Sequence, residues 1–190
     1  NLLNSYKQSY DLIHRLRENA QVGFVNSFVL YEADVWKPIN GIIAGFFRYF
    51  SRYFFRQTKN RNDFIGCNYY SRRLITMRKR EISLDKRTDL GWEIYPEGIY
   101  SVLMEIKKYN LPIYITENGL ADASDSKREK FIQDHLDWIL KAMDEGANIR
   151  GYFHWSLLDN FEFPEVRGFW PRFGLIAVDF KTFERKPRKS

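Results

Sequence analysis

Residues 112–120 read PIYITENGL, and this segment constrains the fold more than any other in the chain. A proline leads into Ile113-Tyr114-Ile115, a run of β-branched and aromatic residues suited to a buried strand. The run stops at a carboxylate, Glu117, followed by the turn pair Asn118-Gly119. A carboxylate that ends a buried strand is costly unless it has partners or a task. Two readings stay open from the segment alone. Glu117 caps a neighbouring helix or pairs with an arginine, or it does chemistry at the C-terminal end of a parallel strand, where the active sites of α/β barrels lie.

The rest of the chain alternates strands with helices. Residues 21–31 (QVGFVNSFVLY), 64–70 and 149–155 have strand composition. Residues 1–19 form an amphipathic helix with Leu2, Leu3, Tyr6, Ile13 and Leu16 as its apolar residues. A helix over 96–109 has Pro96 in its first turn, Glu97 beside it and Lys107-Lys108 in its last. Ser126 and Glu129 have capping-box spacing. They open a helix with Ile132, Leu136, Ile139 and Met143 on one face, closed by Gly146. This alternation predicts a parallel sheet covered by helices, an α/β fold. There is no internal repeat and no low-complexity linker.

The remaining motifs narrow the class. Residues 151–179 read GYFHWSLLDNFEFPEVRGFWPRFGLIAVD, residues 63–71 read DFIGCNYYS, and residues 91–98 read GWEIYPEG. With ITENG, these four ordered motifs resemble glycoside hydrolase family 1, the β-glucosidase and β-galactosidase family, across the whole chain. The resemblance implies a (β/α)8 TIM barrel. Such barrels run about 250 residues or more, and this chain has 190. The family's acid/base glutamate lies in an Asn-Glu-Pro motif that is absent here. The resemblance therefore implies the second half of the barrel, strands 5–8, over residues 1–190, without the N-terminal half and the final helix.

Retaining glycosidases use two carboxylates about 5–5.5 Å apart, one a nucleophile and the other an acid/base. The resemblance assigns the nucleophile to Glu117 and makes Tyr70 the phenol that orients it, with Asn68 lining the site and Tyr69 left to packing. Trp155 matches the tryptophan under the glycone. Glu162 matches the glutamate that binds the O4 and O6 hydroxyls. Phe163 stands where the family has a second tryptophan, which keeps a stacking face and loses an indole N–H. Asp159 and Asn160 are turn and cap residues. Glu165, Glu93 and Glu32 fit no acid/base motif, so that group is not in this chain. A carboxylate facing the sugar's 6-position repels phosphate, which implies neutral β-glucosides or β-galactosides.

The implied function is the nucleophile-bearing half of a retaining β-glycosidase, working through a covalent glycosyl-enzyme intermediate when the N-terminal half completes it and inactive alone. The alternative is a non-catalytic barrel fragment that folds by association with a partner chain or with itself. No cofactor and no metal are implied.

Composition bounds the other classes. With 44% hydrophobic and 17% aromatic residues the chain can build a core, which argues against disorder. No run of 18 apolar residues occurs, and no membrane partner is expected. The single cysteine, Cys67, forms no internal disulfide and lies within a strand. That suits an inert buried thiol and a reducing, cytoplasmic location. The net charge of +6 concentrates in residues 71–88 and 181–190. These stretches lack nucleic-acid recognition motifs and are expected to be solvated loops, with no nucleic-acid partner. Residues 42–59 interleave Phe46, Phe47, Tyr49, Phe50, Tyr53, Phe54 and Phe55 with Arg48, Arg52 and Arg56 at four-residue spacing. That predicts a helix packed over the barrel or walling an aglycone site, with one basic stripe; the sharper alternative is a cleft for a flat apolar ligand with acidic groups, or a membrane-surface helix.

Overall fold

The computed structural model describes all residues except 35, 36, 59, 79 and 164–167. Four parallel strands form the central sheet in the order β1 (Gly23–Ser27), β3 (Phe64–Asn68), β5 (Ile113–Asn118) and β6 (Ile149–His154). Their spatial order is their order along the chain, as short crossovers favour. β1 is joined to β3 through β2 (Leu30–Ala33), α2 (Pro38–Ser51) and α3 (Tyr53–Thr58). β4 (Arg72–Ile75) and α4 (Glu97–Lys107) join β3 to β5, and α5 (Arg128–Asp144) joins β5 to β6. β2 and β4 pair in parallel as a separate two-stranded sheet. β7 (Ile176–Val178) and β8 (Arg185–Pro187) pair antiparallel at the end of the chain, and α1 (Leu2–Leu16) precedes the sheet.

The strand period of two separates two faces. Ile65, Cys67, Ile113 and Ile115 point to the helices and are fully buried against Ile99, Val102, Leu103 and Ile106 of α4 and Ile139 and Ala142 of α5. Burial pushes the Cys67 thiol up to about 12, which leaves it inert as a nucleophile. The other face carries Val25, Phe64, Tyr114 and Phe153. Phe64 and Tyr114 meet edge to face at 5.2 Å, yet Val25 is 45% and Phe153 58% exposed. A sheet with one face packed and one apolar face open is incomplete as a core.

Several boundaries differ from the sequence reading. The strand expected over 21–31 divides at Phe28-Val29 into β1, which pairs with β3, and β2, which pairs with β4. The helix expected from residue 96 begins at Glu97, with Pro96 as its N-cap. The capping box at Ser126 does not form. The Lys127 N–H is capped at 2.8 Å by Asp122 instead, while Ser126 bonds Ser124. α5 buries Arg128, Phe131, His135, Ile139 and Ala142, leaving Leu136 and Met143 largely exposed. α1 buries none of its residues. It is anchored through Tyr6, whose hydroxyl bonds Asn62, and Tyr10, which bonds Asp63.

The basic stripe of residues 42–59 also dissolves. Arg52 is buried, ion-paired with Glu105 and seated over the Phe28 ring, so only its neighbours face solvent. The aromatic residues expected to pack inward are largely exposed, apart from Phe55. The basic stretches are not simply solvated either. Arg72 and Arg80 clamp Glu93, and Arg188 reaches the buried Asp159. Lys59 and Lys79 lie outside the described residues.

Candidate active site

The C-terminal ends of β3, β5 and β6 converge on one set of side chains. Asn68 and Glu117 are register partners across β3 and β5, beside a bulge at Cys67/Asn68 that shifts the ladder. The Tyr69 N–H bonds the Glu117 carbonyl at 2.9 Å. That contact fixes the backbone on which Tyr70 follows. The Tyr70 hydroxyl donates to Glu117 Oε2 at 2.7 Å. Its ring is held edge-on by Trp92 at 5.8 Å and Phe173 at 6.2 Å. Burial, the hydrogen bond to Glu117 and the nearby charges of Glu117 and Glu162 all push the Tyr70 hydroxyl well up, so it stays protonated and remains a donor. Asn68 Oδ1 accepts from Thr116 at 2.5 Å, which turns its amide nitrogen outward.

The turn after Glu117 is equally determined. Asn118 is fully buried, donates to the Tyr69 carbonyl at 2.8 Å and accepts from Tyr152 at 2.9 Å. A Cβ on Gly119 would fall 1.8 Å from the Trp155 carbonyl oxygen, so only glycine lets the two strand ends close.

Beyond β6 the chain forms a loop that presents Glu162. The Trp155 indole donates to Glu162 Oε1 at 3.1 Å and the Asn160 amide to the same oxygen at 2.9 Å. No donor among the described residues bonds Oε2. Asn160 is itself oriented by Ser156, whose hydroxyl donates to it at 3.1 Å. Asp159 anchors the loop from beneath. Its buried carboxylate accepts from Arg188 at 3.0 Å and from the Gly174 N–H at 2.9 Å, with Arg172 at 3.4 Å. Asp159 and Asn160 thus do more than turn the chain: one ties the loop to the C-terminal tail, the other aims Glu162. Phe163 is 74% exposed and touches Phe161 edge-on. Tyr70, Trp92, Glu162 and Phe163 share one cleft with Ser27 and Phe28.

The other candidate carboxylates are committed elsewhere. Burial alone would raise Glu93, but hydrogen bonds from Arg72 (2.8 Å) and Arg80 (2.9 Å), with their charges, hold it down to about 2. Glu32 accepts from Arg72 at 2.8 Å. A carboxylate held as low as Glu93 carries no proton near neutrality, so Glu93 cannot serve as a general acid. Glu165 lies outside the described residues. Among the described residues no cluster of His, Cys, Asp and Glu could hold a metal ion.

Two contributors escaped the sequence reading. Trp92 lies within the GWEIYPEG motif, which marked the segment but not the ring. Asn160 sits two residues before Glu162, in a motif whose glutamate drew the attention.

Comparison with known proteins places this arrangement. The glycosyl hydrolase family 1 profile matches residues 44–190, and the chain belongs to that family. It is 31% identical to a β-galactosidase of Sulfolobus acidocaldarius over 96% of its own length and 43% of that protein's. It is 40% identical to a β-galactosidase of Pyrococcus woesei over 67% of this chain and 30% of the relative. Among solved structures, the β-glucosidase of Pyrococcus furiosus superposes with a TM-score of 0.86 at 33% identity, covering 98% of this chain and 43% of that one. A Thermotoga maritima β-glucosidase in complex with glucoimidazole gives 0.85 at 28% identity, covering 99% and 52%. The chain spans less than half the length of the curated relatives it matches. The fold is α/β and its structural neighbours are TIM-barrel enzymes of this family.

Proposed function

We propose that the chain is the nucleophile-bearing half, strands 5–8, of a retaining β-glycosidase barrel that acts on neutral β-glucosides or β-galactosides. The observation that carries this reading is the 2.7 Å hydrogen bond from Tyr70 to Glu117 at the end of a buried parallel strand. It fixes one oxygen of a carboxylate that no cation pairs among the described residues, which suits a nucleophile rather than a structural ion pair.

In this reading Glu117 attacks the anomeric carbon and forms a glycosyl ester, which water then hydrolyses. Tyr70 orients the attacking carboxylate. Trp155 lies under the glycone. Glu162 accepts hydrogen bonds from sugar hydroxyls through its uncommitted Oε2, and Asn68 and Phe163 line the pocket. The acid/base carboxylate comes from the N-terminal half. The negative charge of Glu162 disfavours a 6-phosphate and favours neutral sugars.

Glu117→Gln in the completed barrel should lower turnover of an aryl β-glycoside by roughly three orders of magnitude or more. Thermal unfolding should change little. Near-normal turnover by this variant would refute the assignment. A second reading, a non-catalytic fragment that folds by association, is favoured by the open face carrying Val25 and Phe153. A completed barrel that binds no β-glycoside would select it.

A further inference from the structure

α2 is inverted relative to an ordinary surface helix. Toward the protein it buries Asn40 and Ala44, while its large side chains face outward. Ile42 is 69%, Phe46 58%, Tyr49 61% and Phe50 54% exposed, and Tyr53 and Phe54 of α3 extend the same surface. Ile42, Phe46, Tyr49, Phe50 and Tyr53 recur at helical spacing on one side. The rings touch one another, Phe46 and Phe50 at 4.4 Å and Tyr49 and Phe50 at 5.6 Å, so the patch is continuous. The stripe is exposed rather than buried as core. Surfaces of this kind mark a docking site.

Charge selects the occupant. Between Asp34 and Asp63 the sequence has no acidic residue and six basic ones. Arg48 is exposed on the same helix, and Arg56 lies over the Tyr49 ring at 3.7 Å. Glu105 and Asp11 pair Arg52 and Arg61, which leaves Arg48 and Arg56 as the charges beside the patch, and a second copy docked on the same face would set these against like charge, which disfavours self-association there. The patch is also separate from the open sheet face. α2 packs on β2, β4 and α3, whereas Val25 and Phe153 sit on β1 and β6. Bulky aromatic residues beside arginines, without acids, are the composition of an interfacial helix on an anionic bilayer.

We propose that α2 and α3 dock the protein on anionic lipid surfaces, with the aromatic face in the headgroup region and Arg48 at its rim. No helix among the described residues is long and apolar enough to cross a membrane, so the contact is in-plane.

The test is co-sedimentation of the full chain with vesicles of phosphatidylcholine alone and of phosphatidylcholine and phosphatidylglycerol in equal parts. Binding to the anionic vesicles, weakened by salt, is expected. Arg48→Glu should weaken it by roughly tenfold or more, since each basic residue near such a surface contributes about 1 kcal/mol. Phe46→Ser with Phe50→Ser should abolish it, and circular dichroism reads whether that variant keeps its helices. Val25→Ser with Phe153→Ser should leave binding unchanged. Equal binding to both vesicles, no binding, or loss through the Val25 and Phe153 variant alone would overturn the proposal. So would self-association that disappears with the Phe46 and Phe50 variant.

Discussion

At the scale of single residues, the proposed chemistry depends on how few freedoms Glu117 and its donor retain. Tyr70 is wedged between Trp92 and Phe173 and has one polar partner, Glu117. Removing that hydroxyl leaves the ring packing intact and the carboxylate free to rotate. A hydrogen bond to a charged group contributes about 1.5–3 kcal/mol. Tyr70→Phe in the completed barrel should therefore lower kcat/KM roughly tenfold to a hundredfold with an unchanged melting temperature. Equal loss of stability and activity would mean that Tyr70 is a packing residue only. Glu117, Tyr70 and Glu162 were all legible in the sequence, because short motifs carry them. Their supporting partners were not. Asn160 and Arg188 act through side-chain geometry across 2 and 29 residues of chain, and no local pattern announces such contacts.

At the scale of elements, the central strands were legible because apolar β-branched runs bounded by Pro, Asn and Gly have few alternatives. The helices were read less well. A barrel helix touches the sheet on one side and neighbouring helices on others, so more than one stripe is apolar. On α5 the sequence suggested Ile132, Leu136, Ile139 and Met143 on one face, whereas the residues buried are Phe131, His135, Ile139 and Ala142, with Leu136 and Met143 left largely exposed. His135 stacks on Phe131 at 3.9 Å, and its Nδ1 meets the Phe131 carbonyl at 2.7 Å. Burial holds His135 down to about 4 from its ordinary 6.5. Burial and the nearby Arg128 do the same to His154 at the end of β6.

The unfolded chain therefore binds more protons than the folded one between about pH 4 and 6.5. Stability present above that window should fall as pH drops through it, by about 1.4 kcal/mol per pH unit for each buried imidazole. Glu93, held down to about 2 from 4.5, adds its loss only at lower pH. Urea unfolding from pH 7 to 5 measures this, and His135→Leu should halve the slope. A flat profile over that range would show that neither ring is held neutral by the fold.

At the scale of the whole molecule, the sheet is an open arc. Among the described residues β1 and β6 each pair with a strand on one side, so each presents a row of backbone groups open to pairing. The concave face between them carries Val25, Phe64, Tyr114 and Phe153 with no second layer over it. Burying a side chain such as Phe153 is worth about 1.5–3 kcal/mol, so the arc has a strong drive to acquire a cover. The candidate site has the same incompleteness, because among the described residues Glu32 and Glu93 are committed to arginines and no acid/base partner faces Glu117. In the proposed reading one complement meets both deficits, further strands that close the barrel and bring an acid/base glutamate. On that reading, mixing the chain with the N-terminal half of a family 1 β-glycosidase should give a one-to-one complex by native mass spectrometry and β-glycosidase activity. Phe153→Asp places a charge on the open sheet face and should block assembly, read by native mass spectrometry. Left alone, the chain should self-associate and hydrolyse little. A monomeric, cooperatively folded chain with the turnover of a complete enzyme would show that the arc needs no complement and that a second catalytic carboxylate lies within it.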